Sequence, residues 1–277
     1  MPVRERAKAL RKEMVAPSVY RIAMAAPQLA GRALPGQFIT VRVTDGPDPL
    51  LRRPISIHRA GSPDPDSLQI LFTVKGRGTQ LLSRIEPGDE VDILGPLGRG
   101  FAIDPDARLH CIVAGGMGVA PMPFLAEKIL AGIAGKKGAV RMYLGAKSKD
   151  MLLCVDEMKS LGVDVRIATD EGDAGYKGLV TRLFDDEAAA FPAGTTVSAC
   201  GPFPMLRGTA AICARRGLSC QVSMESRMAC GMGACYGCVI PASAGAARAK
   251  SGYLRVCEDG PVFDAAEIGW EDGSWSI

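Results

Sequence analysis

The chain has 277 residues and a mass of 29.1 kDa, with 47% hydrophobic and 23% charged residues, a globular composition with room for two or three domains. Lys and Arg exceed Asp and Glu by 33 to 30, so the net charge of +3 is small and spread along the sequence, which argues against a nucleic-acid partner. No apolar run approaches the roughly 18 residues needed to span a bilayer, and with only His58 and His110 available a metal has to be held by sulfur.

The basic stretch Met1–Lys12 carries Arg4, Arg6, Lys8, Arg11 and Lys12, but it contains Glu5, lacks Ser and runs into a strand-like pattern, so it does not read as a transit peptide. Nine cysteines, an odd number with no secretory segment before them, place the protein in a reducing cytoplasm. Short apolar stretches punctuated by Gly and Pro follow at Val19–Met24, Phe38–Val43, Ile55–His58, Leu68–Val74 and Glu90–Leu94. They predict an all-β barrel or sandwich over 1–104.

From 105 to 217 the rhythm becomes strand, glycine turn, helix. Strands are predicted at Leu109–Ala114, Val140–Gly145, Val163–Thr169 and Thr195–Cys200, and helices at Met122–Ala134, Met151–Leu161 and Phe203–Arg216. This βαβ order implies a parallel sheet covered by helices. From 218 to 277 the chain is Gly- and Cys-rich, with an exposed loop expected over Ser243–Lys250, and reads as a small domain built round a cofactor.

The sharpest motif is Cys230-x4-Cys235-x2-Cys238, followed after 18 residues by Cys257. The first three have the spacing of a plant-type [2Fe–2S] site, in which a distant fourth thiolate closes the cluster. Glycines at 231, 233 and 237 allow backbone N–H groups to turn toward the sulfurs. A structural zinc is the alternative, although zinc ribbons favour two paired C-x-x-C knuckles. Cys111, Cys154, Cys213 and Cys220 read as small core hydrophobes.

Two further sets of residues suit nucleotides. Gly115-Gly116-Met117-Gly118-Val119-Ala120-Pro121 lies between a strand and a helix, where glycines admit a pyrophosphate and the helix start offers N–H donors. It lacks the full G-x-G-x-x-G spacing, and a purely steric turn is the other reading. A second strand end, Cys200-Gly201-Pro202, would face the same crevice. In the first domain, Arg52-Arg53-Pro54-Ile55-Ser56 and Lys75-Gly76-Arg77-Gly78-Thr79 could together hold a diphosphate, or be a solvated strand edge and a hairpin.

These elements, in this order, resemble the ferredoxin–NADP reductase superfamily, and more closely the electron-transfer subunits of class 1B dihydroorotate dehydrogenase. The resemblance covers nearly the whole chain and rests on Pro35-Gly36-Gln37-Phe38, Arg53-Pro54-Ile55-Ser56, Gly76–Thr79, Gly115–Pro121, Cys200–Pro202, Met228–Cys238 and Val256–Phe263. It implies an N-terminal antiparallel β-barrel for FAD, a central α/β parallel-sheet domain for NAD and a small C-terminal [2Fe–2S] domain. It further implies Arg53 on the FAD pyrophosphate, Pro54 and Ile55 on the same strand, and Ser56 near the flavin N5. Leu71, Phe72 and Thr73 would line the flavin, with Gly78 and Thr79 at its phosphates. Many superfamily members place at position 55 a Tyr that stacks on the flavin; Ile55 can offer only apolar packing. Gly115, Gly116, Gly118, Pro121, Gly201 and Pro202 would hold the dinucleotide, with Cys200 near the nicotinamide, and Cys230, Cys235, Cys238 and Cys257 would ligate the cluster. The loop between Cys238 and Cys257 is longer than in the shortest family versions.

Asp170-Glu171-Gly172-Asp173 stands where NADP-dependent relatives place Ser and Arg. Carboxylates there would repel a 2′-phosphate, and Asp170 could accept from a ribose hydroxyl, which points to NAD; a solvated acidic loop is the bland reading. No base for dihydroorotate oxidation stands out, so that chemistry is expected in an FMN-containing catalytic subunit. Electrons would then run from dihydroorotate through FMN, cluster and FAD to NAD⁺, in pyrimidine biosynthesis. A subunit of an NADH-linked ferredoxin–NADP or sulfide dehydrogenase, and a non-catalytic redox sensor, are the alternatives. The stretch Arg227–Tyr236 suits a partner contact, unless Met228 and Met232 serve only to cover the cluster.

Overall fold

A computed structural model describes residues 1–133 and 139–270. Six antiparallel strands, β1 (Val3–Ala16), β2 (Val19–Ala25), β3 (Phe38–Val41), β4 (Arg53–Ala60), β5 (Ser67–Thr73) and β6 (Glu90–Leu97), form a closed barrel in the order β1-β2-β5-β4-β3-β6. Two short helices, α1 (Pro27–Ala30) and α2 (Arg77–Leu82), lie in its connections. β1, read from the sequence only as a basic segment leading into a strand-like pattern, closes the barrel by pairing with both β2 and β6. Its inward positions are Glu5, Ala7 and Ala9, and its outward ones Arg4, Arg6 and Lys8. Small inward residues beside outward charges hide the alternation that reveals a half-buried strand.

The second sheet is built from β7 (Leu109–Gly115), β8 (Val140–Ala146), β9 (Asp164–Thr169), β10 (Tyr176–Lys177), β11 (Thr195–Cys200) and β12 (Ser219–Ser223), all parallel. Helices α3 (Met122–Gly132), α4 (Val155–Ser160), α5 (Val180–Ala188) and α6 (Phe203–Arg216) accompany it. Every residue of β7 is buried, because two separate apolar clusters cover its faces.

The helix expected over Met122–Ala134 ends at Gly132, and Ala134 lies outside the described residues. The one expected over Met151–Leu161 is a 3-10 turn, Lys149–Met151, followed by the shorter α4. Helix α5 buries only Val180, Phe184 and Ala188, a stripe too thin to stand out in the sequence.

In the last part of the chain, β13 (Val239–Pro241) and β14 (Tyr253–Arg255) pair with each other, and β15 (Val262–Asp264) adds antiparallel to β12. The seven-stranded order is β10-β9-β8-β7-β11-β12-β15, so the cysteine-bearing stretch is looped out between β12 and the edge strand β15 of the nucleotide sheet. Phe38 and Leu97 of the barrel share one apolar cluster with Cys238, Cys257, Leu254 and Val256. The cysteine region is therefore seated on both other parts of the molecule.

Candidate functional site

At the start of β4, Arg53 and the preceding Arg52 part company. Arg52 is committed to the barrel wall, donating to the Asp92 carboxylate at 2.8 Å and to the Asp92 carbonyl at 3.0 Å. Among the described residues Arg53 donates to the Leu51 carbonyl alone, at 2.7 and 3.2 Å, and its stem lies across Gly78, where a Cβ would stand 2.5 Å from Arg53 Cδ. The structure thus joins the Arg-Pro-x-Ser strand to the glycine turn, and a side chain at position 78 would displace the guanidinium stem. The Thr79 hydroxyl is used within that turn, accepting from the Lys75 and Gly76 N–H groups at 2.9 and 3.2 Å.

Pro54 and Ser56 are half-buried on the outer side of β4, whereas Ile55 packs toward the barrel core beside Ile57. Along β5, Phe72 also turns into the barrel core, near Tyr20. Leu71 points the other way, onto Ala120, and the Thr73 hydroxyl lies 3.4 Å from the Ser18 carbonyl. Alternation along the strand dictates this split: of Leu71, Phe72 and Thr73, only the first and third have side chains on the outer face.

The carboxyl ends of β7 and β11 lie side by side, with Cys200 in register with Ala114. A Cβ on Gly118 would stand 2.2 Å from the Cys200 carbonyl oxygen, and one on Gly115 would meet Pro202 and Met205. Gly201 is held equally close, its own Cβ position lying 3.0 Å from the Gly115 nitrogen. Gly116 takes a left-handed φ of +53° and faces open space, and Pro121 leads into α3. The chain order reverses here, since β7 leads to β8 on one side and has β11 on the other, which is where open parallel sheets bind ligands. Burial pushes the Cys200 thiol up to about 12 despite a hydrogen bond with Ser223, so it is a neutral thiol in the crevice floor. Asp170 is exposed at the end of β9, while Asp173 accepts two contacts from the Lys149 N–H at 3.0 and 2.9 Å, which lowers its carboxyl. Of the acidic run, Asp173 shapes the loop and Asp170 remains available.

The four cysteines of the motif converge. Gly231 and Gly233 adopt left-handed φ of +70° and +79°, conformations that cost little only for glycine. The Gly233 N–H points at Cys257 Sγ (3.1 Å), those of Met232 and Cys235 at Cys230 Sγ (3.5 and 3.4 Å), that of Gly237 at Cys235 Sγ (3.4 Å) and that of Cys257 at Cys238 Sγ (3.4 Å). Burial works against ionising Cys230, yet the amides outweigh it and bring the thiol down to about 7. The Cys257 thiol, with neighbouring amides, brings Cys238 down to about 6, and Cys257 is pushed up in return.

The sulfurs pair as Cys230 with Cys235 and Cys238 with Cys257. A single tetrahedral zinc would need all four within roughly 3.8 Å of one another. Among the described residues the one set of three potential ligand atoms mutually within 4.8 Å is His58, Cys154 and Glu157. No three of the four sulfurs are that close, and two separated pairs suit a dinuclear iron–sulfur cluster, two thiolates to each iron.

Sequence reasoning missed Arg255. It donates to both oxygens of Asp259 at 3.1 Å and to the Gly233 carbonyl at 3.1 Å, and its guanidinium lies 5.2 Å from the Tyr236 ring centre. It ties the Cys257 segment to the loop bearing the other three ligands. Its place two residues before Cys257, with Asp259 two after, was the available signal.

Met228 is half-buried against the core, whereas Met232 and Tyr236 are each 50% exposed beside the exposed Cys235. Cys111, Cys213 and Cys220 are buried as expected, but Cys154 is half-buried at the seam between barrel and sheet, in a left-handed conformation with φ of +60°.

Residues 112–211 match the oxidoreductase NAD-binding domain, and residues 225–269 the iron-sulfur cluster binding domain of dihydroorotate dehydrogenase B. A solved NADH-dependent reduced ferredoxin–NADP oxidoreductase, described for flavin-based electron bifurcation, superposes with a TM-score of 0.82 and 27% identity over 97% of this chain and 91% of that one. A ferredoxin NADP⁺ reductase from Neisseria gonorrhoeae, solved with FAD and NADP, shares the fold at 18% identity and a TM-score of 0.61 over 77% of this chain and 92% of that one.

Barrel, sheet and cysteine loop define an oxidoreductase of ferredoxin–NADP reductase architecture that uses FAD, NAD and an iron–sulfur cluster. The sequence is 40% identical to the dihydroorotate dehydrogenase B (NAD(+)) electron transfer subunit of Desulforamulus reducens, over 96% of this chain and 98% of that one. The corresponding subunit of Geobacillus thermodenitrificans is 37% identical with the same coverage. The chain belongs to the family of dihydroorotate dehydrogenase B electron transfer subunits. Among the described residues no helix is long and apolar enough to cross a membrane.

Proposed function

We propose that this chain is the electron-transfer subunit of a dihydroorotate dehydrogenase, accepting electrons from an FMN-bearing catalytic subunit and passing them to NAD⁺ in pyrimidine biosynthesis. The observation that carries this reading is contiguity. A Cβ on Gly231 of the cysteine loop would stand 2.9 Å from Thr40 Cγ2 on β3; Thr40 is in register with Pro54 on β4; and β4 contacts the glycine turn through His58 and Ala120. Bound FAD supplies the conversion between hydride exchange with nicotinamide and single-electron exchange with the cluster.

The chain's own residues supply position and charge. The Arg53 guanidinium, held by the Leu51 carbonyl and not by a carboxylate, is the candidate for the FAD diphosphate, and Ser56 presents a hydroxyl from the outer face of the same strand. Gly115–Gly118 and Cys200–Pro202 would offer backbone to the dinucleotide, with Gly116 facing open space. Asp170 accepts from a ribose hydroxyl and repels a 2′-phosphate, so NADH is expected to be used with a much higher kcat/KM than NADPH in dye reduction; equal values would remove that role. Cys230, Cys235, Cys238 and Cys257 hold the iron.

The exposed Met232, Cys235 and Tyr236 form the face offered to the catalytic subunit. Met232→Glu together with Tyr236→Asp is expected to abolish dihydroorotate-dependent NAD⁺ reduction by the co-purified assembly while leaving NADH-to-dye activity intact. Joint loss of both activities, or undiminished co-purification, would refute the contact face.

A second reading, a subunit of an NADH-dependent ferredoxin–NADP oxidoreductase, draws on the structural likeness at 27% identity. The partner separates the two: an FMN barrel dehydrogenase supports the first, and a larger iron–sulfur flavoprotein the second. A redox sensor would show no dye reduction at all.

A further inference from the structure

A buried polar joint lies between the barrel and the nucleotide sheet, outside the three cofactor regions. At its centre is His58 on β4, fully buried. Its Nδ1 is 2.5 Å from the carbonyl oxygen of Ala120, the residue that ends the glycine turn. A carbonyl only accepts, so Nδ1 carries the proton. Nε2 faces Glu157 Oε1 of α4 at 3.3 Å, a close contact without hydrogen-bond alignment.

The same carboxylate meets Arg59 Nε at 2.8 Å and Arg21 Nη1 at 3.6 Å, and Arg59 also reaches Glu127 of α3 at 3.0 Å. With Cys154 nearby, His58 and Glu157 have the composition of a metal site. Two guanidiniums on Glu157 oppose a cation there, so the group reads as a joint between domains.

Its position is informative. His58 is two residues from Ser56 on the same face of the strand, about 7 Å along it. The carbonyl it grips belongs to the turn whose Gly118 lies against Cys200. Ala120 is also packed on Leu71 and Val19 of the barrel. Apolar contact alone permits sliding along the strand, whereas one directed hydrogen bond inside it sets the register.

We propose that His58 is a positioning residue for hydride exchange: through the Ala120 carbonyl it fixes the nucleotide turn against the strand that carries Ser56. This rests on the reading that β4 serves the flavin and the turn serves the dinucleotide. His58 is fully buried and presents no surface to either ligand, so its removal should slow the bound reaction more than it weakens binding.

The test is stopped-flow reduction of the flavin in the complete, cluster-loaded protein across a range of NADH concentrations. His58→Asn keeps an amide N–H near the position of Nδ1 and should stay within about two-fold of the parent's saturating rate, whereas His58→Leu should lose about ten-fold with little change in apparent NADH affinity. His58→Gln carries its amide past the carbonyl toward Glu157 and should resemble Leu. A Leu variant as fast as the parent, or Asn and Gln equally slow, would overturn the proposal. Should His58→Leu fail to fold, the Asn-to-Gln ratio decides it. A parent protein that holds no FAD or is not reduced by NADH would overturn the functional reading and this proposal with it, whereas a normally reduced parent with indistinguishable Asn and Gln variants overturns this proposal alone.

Discussion

The cysteine loop and the nucleotide crevice both bend backbone closely around a bound group, but on opposite plans. In the loop, three ligands fall between positions 230 and 238, Gly231 and Gly233 have left-handed φ, and the outer face is exposed at Met232, Cys235 and Tyr236. In the crevice, the pieces come from positions far apart in the chain, and Gly118 serves a close approach, with no room for a Cβ beside the Cys200 carbonyl. The loop is specified by ligand chemistry and local turns, the crevice by steric fit between distant segments. They should fail independently.

The largest effect is expected at the loop. Cys257→Ser removes the ligand that the Gly233 amide and the Arg255 bridge hold in place, and should abolish the visible cluster absorbance and lower bound iron, while the NADH-to-dye reaction survives. Loss of both together would show that the two regions are one folding unit.

At the crevice, Gly118→Ala places a methyl group against backbone and should lower NADH-to-dye kcat/KM by about 100-fold with the cluster spectrum unchanged. Next comes Arg53→Lys, which keeps the charge but loses the planar fork and should weaken FAD retention about ten-fold, measured as flavin released on dilution. Arg52→Lys, at a residue tied to Asp92, should release no extra flavin, and flavin loss there would erase the distinction between the two arginines.

The smallest effect lies in the barrel wall, away from both regions. Burial raises the Asp92 carboxyl, but hydrogen bonds from Arg4 and Arg52 outweigh it and hold the group below its ordinary 3.8. Its contribution is therefore complete above that value and is lost as pH falls through the lower folded-state value. Asp92→Asn should cost about 2 kcal/mol at neutral pH, seen in urea titrations, and the difference from the parent should shrink steadily below pH 3.8. A difference that persists undiminished in acid would mean the aspartate acts through packing and not through charge.

Much of this architecture was legible in one dimension. Strands β2, β4, β5, β7, β8 and β11 and helix α6 fall where apolar runs and glycine turns put them. The meeting of Gly115–Gly118 with Cys200–Pro202 follows from the rule that parallel strands end at one edge. What stayed hidden had specific causes. β1 is masked by alanines and charges, and α5 by a three-residue stripe. Cys154 has the composition of a core thiol but caps α4 at a seam. Arg255 and His58 look like isolated polar residues until their partners, distant in sequence, are folded against them.

By itself the sequence determined the four-cysteine motif and the succession of strand-rich, strand–helix and cysteine-rich segments, because ligand spacing, turn chemistry and side-chain periodicity are properties of neighbouring residues. Only the tertiary structure decided that β1 closes a barrel, that Arg53 crosses Gly78 while Arg52 is tied to Asp92, that Phe72 faces inward while Leu71 meets Ala120, and that His58 grips the nucleotide turn. Each of these depends on which distant surface arrives opposite a side chain. That pairing is set by barrel closure, strand order and shared core packing, which no local stretch of sequence encodes.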